Sequence, residues 1–196
     1  MLTKSQQAIK RSFDIVVSVV VLPVLIIPLI FLWILATLST GRNGLFIQQR
    51  IGRHGKKFGL LKLRSLQGSD HVDINKIKAS ETSFGTWIRK NRMDELPQFI
   101  NVLVGDMSLV GPRPDIPGYA DMLKGEDRFI LKIRPGITGP ATLKYRNEDE
   151  LLLQQPDPKQ YNDEVIWPDK VKINKEYIAN WSLGKDVQYL WHSVFG

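Results

Sequence analysis

Residues 15–41 read IVVSVVVLPVLIIPLIFLWILATLSTG, and no side chain in this run ionises. An apolar run of about 18 or more residues is long enough to be a membrane segment. Lys4, Lys10 and Arg11 precede it, and Arg42, Arg50, Arg53, Lys56 and Lys57 follow it. A simple span concentrates its flanking Lys and Arg on the cytoplasmic side, whereas here both flanks have cytoplasmic character. Pro23 and Pro28 lie near the middle. A proline in a helix interior removes one backbone hydrogen bond and crowds the preceding turn, so it kinks or breaks the helix. A helix that enters the membrane, breaks at Pro28 or Pro23, and returns to the same face satisfies both facts. An ordinary tilted span stays open, since a straight helix from Ile15 to Leu38 would be about 36 Å long, against a hydrocarbon core of ~30 Å. A signal peptide does not fit, because the run is too long and no small-residue cleavage site follows. Asp14, just ahead of the run, is placed to accept N–H bonds at a helix start and to lie at the interface.

Outside this segment, a chain of 196 residues leaves room for one globular domain. The net charge is +7, and the basic excess lies in the first half. It suits anionic lipid headgroups or a phosphate-bearing partner. No helix-turn-helix, zinc-finger or aromatic RNA-binding motif is present, so nucleic acid is not an expected partner. The absence of cysteine excludes disulfides, thiol catalysis and Cys-ligated metals. His54, His71 and His192 are far apart and read as surface or packing residues. Any chemistry must run on carboxylates, with Arg and Lys for charge.

Residues 1–14 read as a basic amphipathic lead-in and 15–40 as the membrane helix. Residues 44–66 alternate apolar and basic side chains between glycines, which suggests short strands or an irregular hairpin on the membrane surface. Residues 67–82 read as a polar loop, and 83–104 carry helical periodicity. The stretch 107–139 is dense in Pro and Gly, with a helix expected within 119–132. Residues 144–165 are acidic and poorly periodic, and 170–195 read as two helical pieces.

Two adjacent carboxylates, Asp94 and Glu95, follow the basic stretch Arg89–Arg92 and precede Pro97. Proline is tolerated in the first turn of a helix, so a helix is expected to begin just before it. Asp94 then falls near the N-cap and Glu95 at the first helical position, which any helix start favours through its dipole. The same geometry suits chemistry. A carboxylate at a helix N-terminus beside arginines has a lowered pKa, and an ionised Asp can attack phosphorus. An adjacent Glu can hold Mg2+, which takes one or two carboxylates together with substrate phosphates. Arg113 stands between Pro112 and Pro114, which restricts its backbone and suits a bidentate phosphate contact. Ile133–Gly139 is a further rigid turn whose role the residues do not declare.

These pieces together resemble the bacterial sugar transferases known as small monotopic phosphoglycosyl transferases. The matching stretches are KRSFDIVVS (10–18), QQRIG (48–52), FGLLKLRSL (58–66), FGTWIRKNRMDELPQFINVLVGDMSLVGPRP (84–114), IRPGITG (133–139) and YIANWSLGKDVQYLW (177–191). The resemblance implies an α/β fold, mostly helical with few short strands. A re-entrant membrane helix (1–40) precedes one membrane-surface catalytic domain (41–196) at the cytoplasmic face of the bacterial inner membrane. It implies transfer of a sugar-1-phosphate from a nucleoside diphosphate sugar, usually a UDP-sugar, to polyprenyl (undecaprenyl) phosphate, with release of UMP. By the resemblance, Asp94 is the nucleophile and Glu95 its acidic partner, the two serving Mg2+. Arg113, Arg89 and Lys62, with Arg64 as a weaker candidate, surround the diphosphate. Relatives often carry Ser-Pro at the helix break, where this chain has Ile27-Pro28. The region 144–168 suits sugar or nucleotide selection. A homodimer is left open, and a non-catalytic membrane-surface scaffold is the alternative function.

Overall fold

The computed structural model describes residues 2–68 and 80–196, so most of the loop expected at 67–82, with His71, lies outside the described residues. The first helix, α1, runs Lys4–Thr40. It begins well before the apolar run because Thr3 and Gln6 form a reciprocal cap: Thr3 Oγ1 accepts from the Gln6 amide and Gln6 Oε1 accepts from the Thr3 amide. It ends at Gly41, whose φ of 69° is left-handed. The basic lead-in and the membrane segment are therefore one helix. Asp14 is not at a helix start. It is buried mid-helix, where its Oδ1 accepts from Ser108 Oγ and the Leu109 amide, both at 3.0 Å.

The backbone stays helical through Pro23 and Pro28. Proline's own φ is helical; what each ring removes is one rung, leaving the carbonyls of Val19 and Val24 without their amide partners. Any reversal is thus made by bending rather than by unwinding. Buried residues follow one stripe at each end of α1: Lys10, Asp14 and Ser18, then Leu32, Ala36 and Thr40. Between them the helix is bare, with Val24 73% and Ile27 75% exposed. Both ends dock on the same domain. Arg11 donates to the carbonyls of Val102 and Leu103 at 2.6 and 2.8 Å, while Leu32 packs with Leu63 and Ile88. A domain on one side of a bilayer cannot reach both ends of a straight span, so this docking is that of a monotopic segment.

Strands β1 (Leu45–Ile51) and β2 (Lys57–Leu63) form the expected hairpin, antiparallel with Leu45 opposite Leu63. Helices α2 (Ser83–Lys90) and α3 (Gln98–Val104) follow. Asn101 of α3 stands in for a third strand: its Oδ1 accepts from the Leu61 amide at 3.0 Å and its Nδ2 donates to the Gly59 carbonyl at 2.8 Å. Strands β3 (Ser108–Val110) and β4 (Gly136–Thr138) pair in parallel. The helix expected within 119–132 is instead two 3-10 turns, Ala120–Met122 and Gly125–Lys132. Left-handed glycines at 118 and 125 (φ 104° and 55°) interrupt it.

The polar region is more ordered than its weak periodicity suggests. It folds as α4 (Pro140–Lys144), α5 (Glu148–Leu153) and α6 (Pro158–Tyr161). A π-helical turn leads into α7 (Trp167–Ala179), and α8 (Leu183–Phe195) follows, so the two terminal helical pieces are present. The main core gathers Val102, Met107, Leu109, Val110 and Ile178 from α3, β3 and α7. One fully buried carboxylate ties it to α1: Asp186 accepts from Lys10 Nζ and the Tyr177 hydroxyl, both at 2.6 Å, and from Trp181 Nε1 at 2.9 Å. The fold is mostly helical with few short strands, as the sequence led us to expect.

Candidate active site

Asp94 and Glu95 lie not on a helix but in a 3-10 turn, Met93–Glu95, ahead of α3. Pro97 is the cap of α3 and neither carboxylate caps it. The turn opens at Arg92, whose φ of 54° is left-handed for a residue with a Cβ, a strain of about 1–2 kcal/mol. Adjacent residues in a 3-10 turn point about 120° apart, so the two carboxylates meet different surroundings.

Glu95 faces the cations. Arg113 Nη1 donates to its Oε2 at 3.4 Å and Arg113 Nη2 to its Oε1, while Lys62 Nζ stands 3.8 Å from Oε1. Burial by itself would raise the Glu95 carboxyl, but Arg113 and then Lys62 outweigh it and hold it at about 2. Asp94 is equally buried and differently placed. Among the described residues no donor hydrogen-bonds to it and no cation lies within ion-pair distance. Burial pushes it up to about 6, against Lys62, and the Glu95 charge adds to the rise. The lowered pKa expected of Asp94 is therefore inverted, because burial outweighs the nearby cations and Arg113 is hydrogen-bonded to Glu95 instead. Lys62, pulled down to about 8 by burial against Glu95, remains a cation at neutral pH.

Backbone geometry holds Arg113 in place. The Pro112 carbonyl accepts from the Gly136 amide at 2.8 Å, and the Gly111 amide donates to the Thr138 carbonyl at 2.9 Å. The chains cross so closely that a Cβ on Gly136 would meet the Gly111 nitrogen at 2.1 Å. This is what Ile133–Gly139 does: it clamps the Pro-Arg-Pro loop. On the other side, the Ile51 amide donates to the Asp115 carbonyl at 2.9 Å.

The structure thus brings Asp94, Glu95, Lys62 and Arg113 together. Arg89 lies close enough to act on Asp94 through space, but its guanidinium bridges Glu81 and Asp149, each at 3.1 Å, and ties α2 to α5. Arg64 is turned elsewhere, donating to the Asn43 carbonyl at 2.9 Å and lying over the Phe46 ring. Sequence reasoning missed Arg50, Arg92, Asp115, Glu148 and Lys170. Arg92 acts on Glu95, and Lys170 pairs with Glu148 at 2.6 Å. Asp115 is pushed up to about 6 by burial, against Lys170 and Arg50. One signal was available for Arg50: strand alternation puts it, Gln48 and Lys62 on one hairpin face.

For a metal, the described residues hold no cluster of three or more His, Cys, Asp or Glu ligands. Two neighbouring carboxylates, one of them without a hydrogen bond among the described residues, do fit Mg2+, a hard ion that keeps waters and shares substrate phosphate oxygens. The donors would be Asp94 and Glu95.

A helix docked at both ends and bare in the middle, beside a carboxylate pair flanked by Lys62 and Arg113, is the arrangement of a monotopic membrane domain. Residues 5–196 match the bacterial sugar transferase family, and the chain belongs to it. It is 31% identical to the undecaprenyl-phosphate galactose phosphotransferase of Salmonella typhimurium, over 97% of this chain and 40% of that protein. It is 33% identical to the UDP-glucose:undecaprenyl-phosphate glucose-1-phosphate transferase of Escherichia coli, over 95% and 39%. An uncharacterized sugar transferase of Bacillus subtilis is 32% identical over 95% of this chain and 85% of its own length. The chain thus spans about 40% of the length of the Salmonella relative and nearly all of the Bacillus one.

Proposed function

We propose that the protein transfers a sugar-1-phosphate from a UDP-sugar to polyprenyl phosphate at the cytoplasmic face of the membrane, with Asp94 as a covalent nucleophile. The observation that carries this is the division of labour in the acidic pair: Glu95 is tied to Arg113, while Asp94 is buried, ionisable near neutrality and has no hydrogen-bond partner among the described residues. A carboxylate with a raised pKa is the more basic nucleophile, and pairing it with a neighbour that holds the cations keeps it free to react. The names of the Salmonella and Escherichia relatives support the substrates.

In the first half-reaction an Asp94 oxygen attacks the sugar-bearing phosphorus, the P–O–P bond breaks and UMP departs with the bridging oxygen. In the second, a phosphate oxygen of the lipid attacks the same phosphorus and the Asp94–phosphorus bond breaks. The products are polyprenyl-diphosphate-sugar and the original carboxylate. Arg113 and Lys62 offset the repulsion between anionic nucleophile and anionic diphosphate. Mg2+, held by Asp94 and Glu95, would supply further charge neutralisation on the phosphate oxygens. The docked membrane helix sets this site at headgroup height, where lipid phosphate and soluble nucleotide meet.

The test is UMP release from a panel of UDP-sugars with undecaprenyl phosphate and Mg2+. Wild-type protein should release UMP with a preferred sugar. Asp94→Asn should lose at least about 10^3-fold in rate with a melting temperature no lower than wild type. Activity near wild type in the variant would remove Asp94 from the mechanism, and a folded but silent wild-type protein would return the scaffold reading.

A further inference from the structure

Arg50 projects from β1 beside Arg113, on the hairpin face that also carries Lys62. Its Nε and Nη2 both donate to Gln48 Oε1, at 3.1 and 2.6 Å, and its Nη1 donates to the Pro114 carbonyl at 3.2 Å. Both acceptors are neutral. Asp115 and then Glu95 oppose its loss of charge through space, but among the described residues neither lies within ion-pair distance of it, and Glu95 is hydrogen-bonded to Arg113. Two guanidiniums and a lysine therefore converge on one cleft, and among the described residues Arg113 is hydrogen-bonded to a carboxylate while Arg50 is not.

Buried cations are ordinarily paired, and like charges brought together are unfavourable without a compensating anion. Here burial first, and Arg113 second, draw Arg50 down to about 10, so it remains charged at neutral pH and the imbalance stands. Gln48 and Pro114 fix the orientation of the planar fork without neutralising it. Such a preorganised guanidinium is suited to two-pronged binding of phosphate oxygens.

We propose that Arg50 is a second phosphate-binding arginine, acting with Arg113 on the diphosphate of the nucleotide sugar. It rests on the proposed function only for the identity of that ligand; the shared chemistry is a phosphate ester, which the lipid acceptor also carries. The arginine pair reads the donor, because Arg50 is anchored to the Pro114 carbonyl on the same loop as Arg113. The donor's two linked phosphates give each guanidinium its own oxygens.

The test is calorimetric titration of the full chain in detergent, with chelator present, in two arms. One arm uses inorganic diphosphate and the other geranyl phosphate, a short isoprenyl monoester. Arg50→Gln should weaken diphosphate binding about tenfold, as loss of one charge-assisted contact does, and change geranyl phosphate binding less than threefold. Diphosphate affinity within twofold of wild type overturns the proposal, as does loss confined to geranyl phosphate or no diphosphate binding by wild type. If Arg50→Gln does not fold, Arg50→Lys serves, since lysine keeps the charge but not the fork. It should weaken diphosphate binding at least threefold, and unchanged binding again overturns the proposal. Failure of UMP release with Arg50-dependent diphosphate binding intact would sink the functional reading and leave this one standing.

Discussion

At the scale of single residues, the site is governed by who holds which counter-charge. Asp94 and Glu95 are chemically near-identical and adjacent, yet burial raises Asp94 while Arg113, hydrogen-bonded to Glu95, outweighs burial there. Asp115 shows the same physics with a consequence for stability. Burial raises its carboxyl to about 6, above the unfolded value of about 3.9. The folded state therefore holds that proton more tightly, and ionisation opposes folding: stability is lost as pH rises from about 4 to about 6. Asp115→Asn removes this loss. Its melting temperature should match wild type at pH 4.5 and exceed it at pH 8, by the equivalent of about 1 kcal/mol after allowance for partial exposure. A variant that melts lower at both pH values would show that the ionised carboxylate is stabilising. The residue types of the dyad were legible in the sequence. Their unequal acidity was not, because it depends on Arg113 and Lys62, which arrive from a distant loop and from β2.

At the scale of elements, glycines and one amide position the site. A methyl on Gly136 would have to share space with the Gly111 nitrogen, and backbone cannot yield as a flexible side chain does. Gly136→Ala should destabilise the protein by about 3 kcal/mol or more and displace the Arg113 loop. Thermal melting together with diphosphate affinity would register both effects, and a variant equal to wild type in both would refute the clamp. The hairpin at 44–66 was readable from its alternation. The start of α3 was not, because Pro97 suits both the first turn of a helix and the cap that precedes it, and local preference does not choose between them. Residues 119–132 have the periodicity of a helix, but left-handed glycines just before the segment, at 118, and in its middle, at 125, divide it into short turns.

At the scale of the whole molecule, α1 is joined to the domain by buried polar contacts as well as by packing. Removing one partner of such a contact strands the others. Asp186→Ala would leave Lys10, Tyr177 and Trp181 without their shared acceptor and should cost about 3–5 kcal/mol, measurable by melting in detergent. A loss below about 1 kcal/mol would mean water replaces the carboxylate. The membrane arrangement is testable because the chain has no cysteine of its own. Single cysteines at Lys4 and Lys56, one on each side of the apolar run, should both be labelled from the cytoplasmic side by an impermeant maleimide. Labelling of the two from opposite sides would establish a span.

The sequence by itself determined that a long apolar helix with basic flanks leads a small domain, and that two adjacent carboxylates, Asp94 and Glu95, stand between a basic stretch and a proline. These are properties of composition, order and spacing, and no distant contact is needed to see them. Only the tertiary structure decided that Asp14 and Asp186 are buried anchors, that Arg89 and Arg64 are engaged elsewhere, and that Arg50 stands near Arg113. The physical reason is that burial and counter-charge belong to neighbourhoods built from residues far apart in the chain. In such a neighbourhood the same type of side chain becomes a buried anchor, a tightly paired ion or a group left with a raised pKa, according to which partner reaches it.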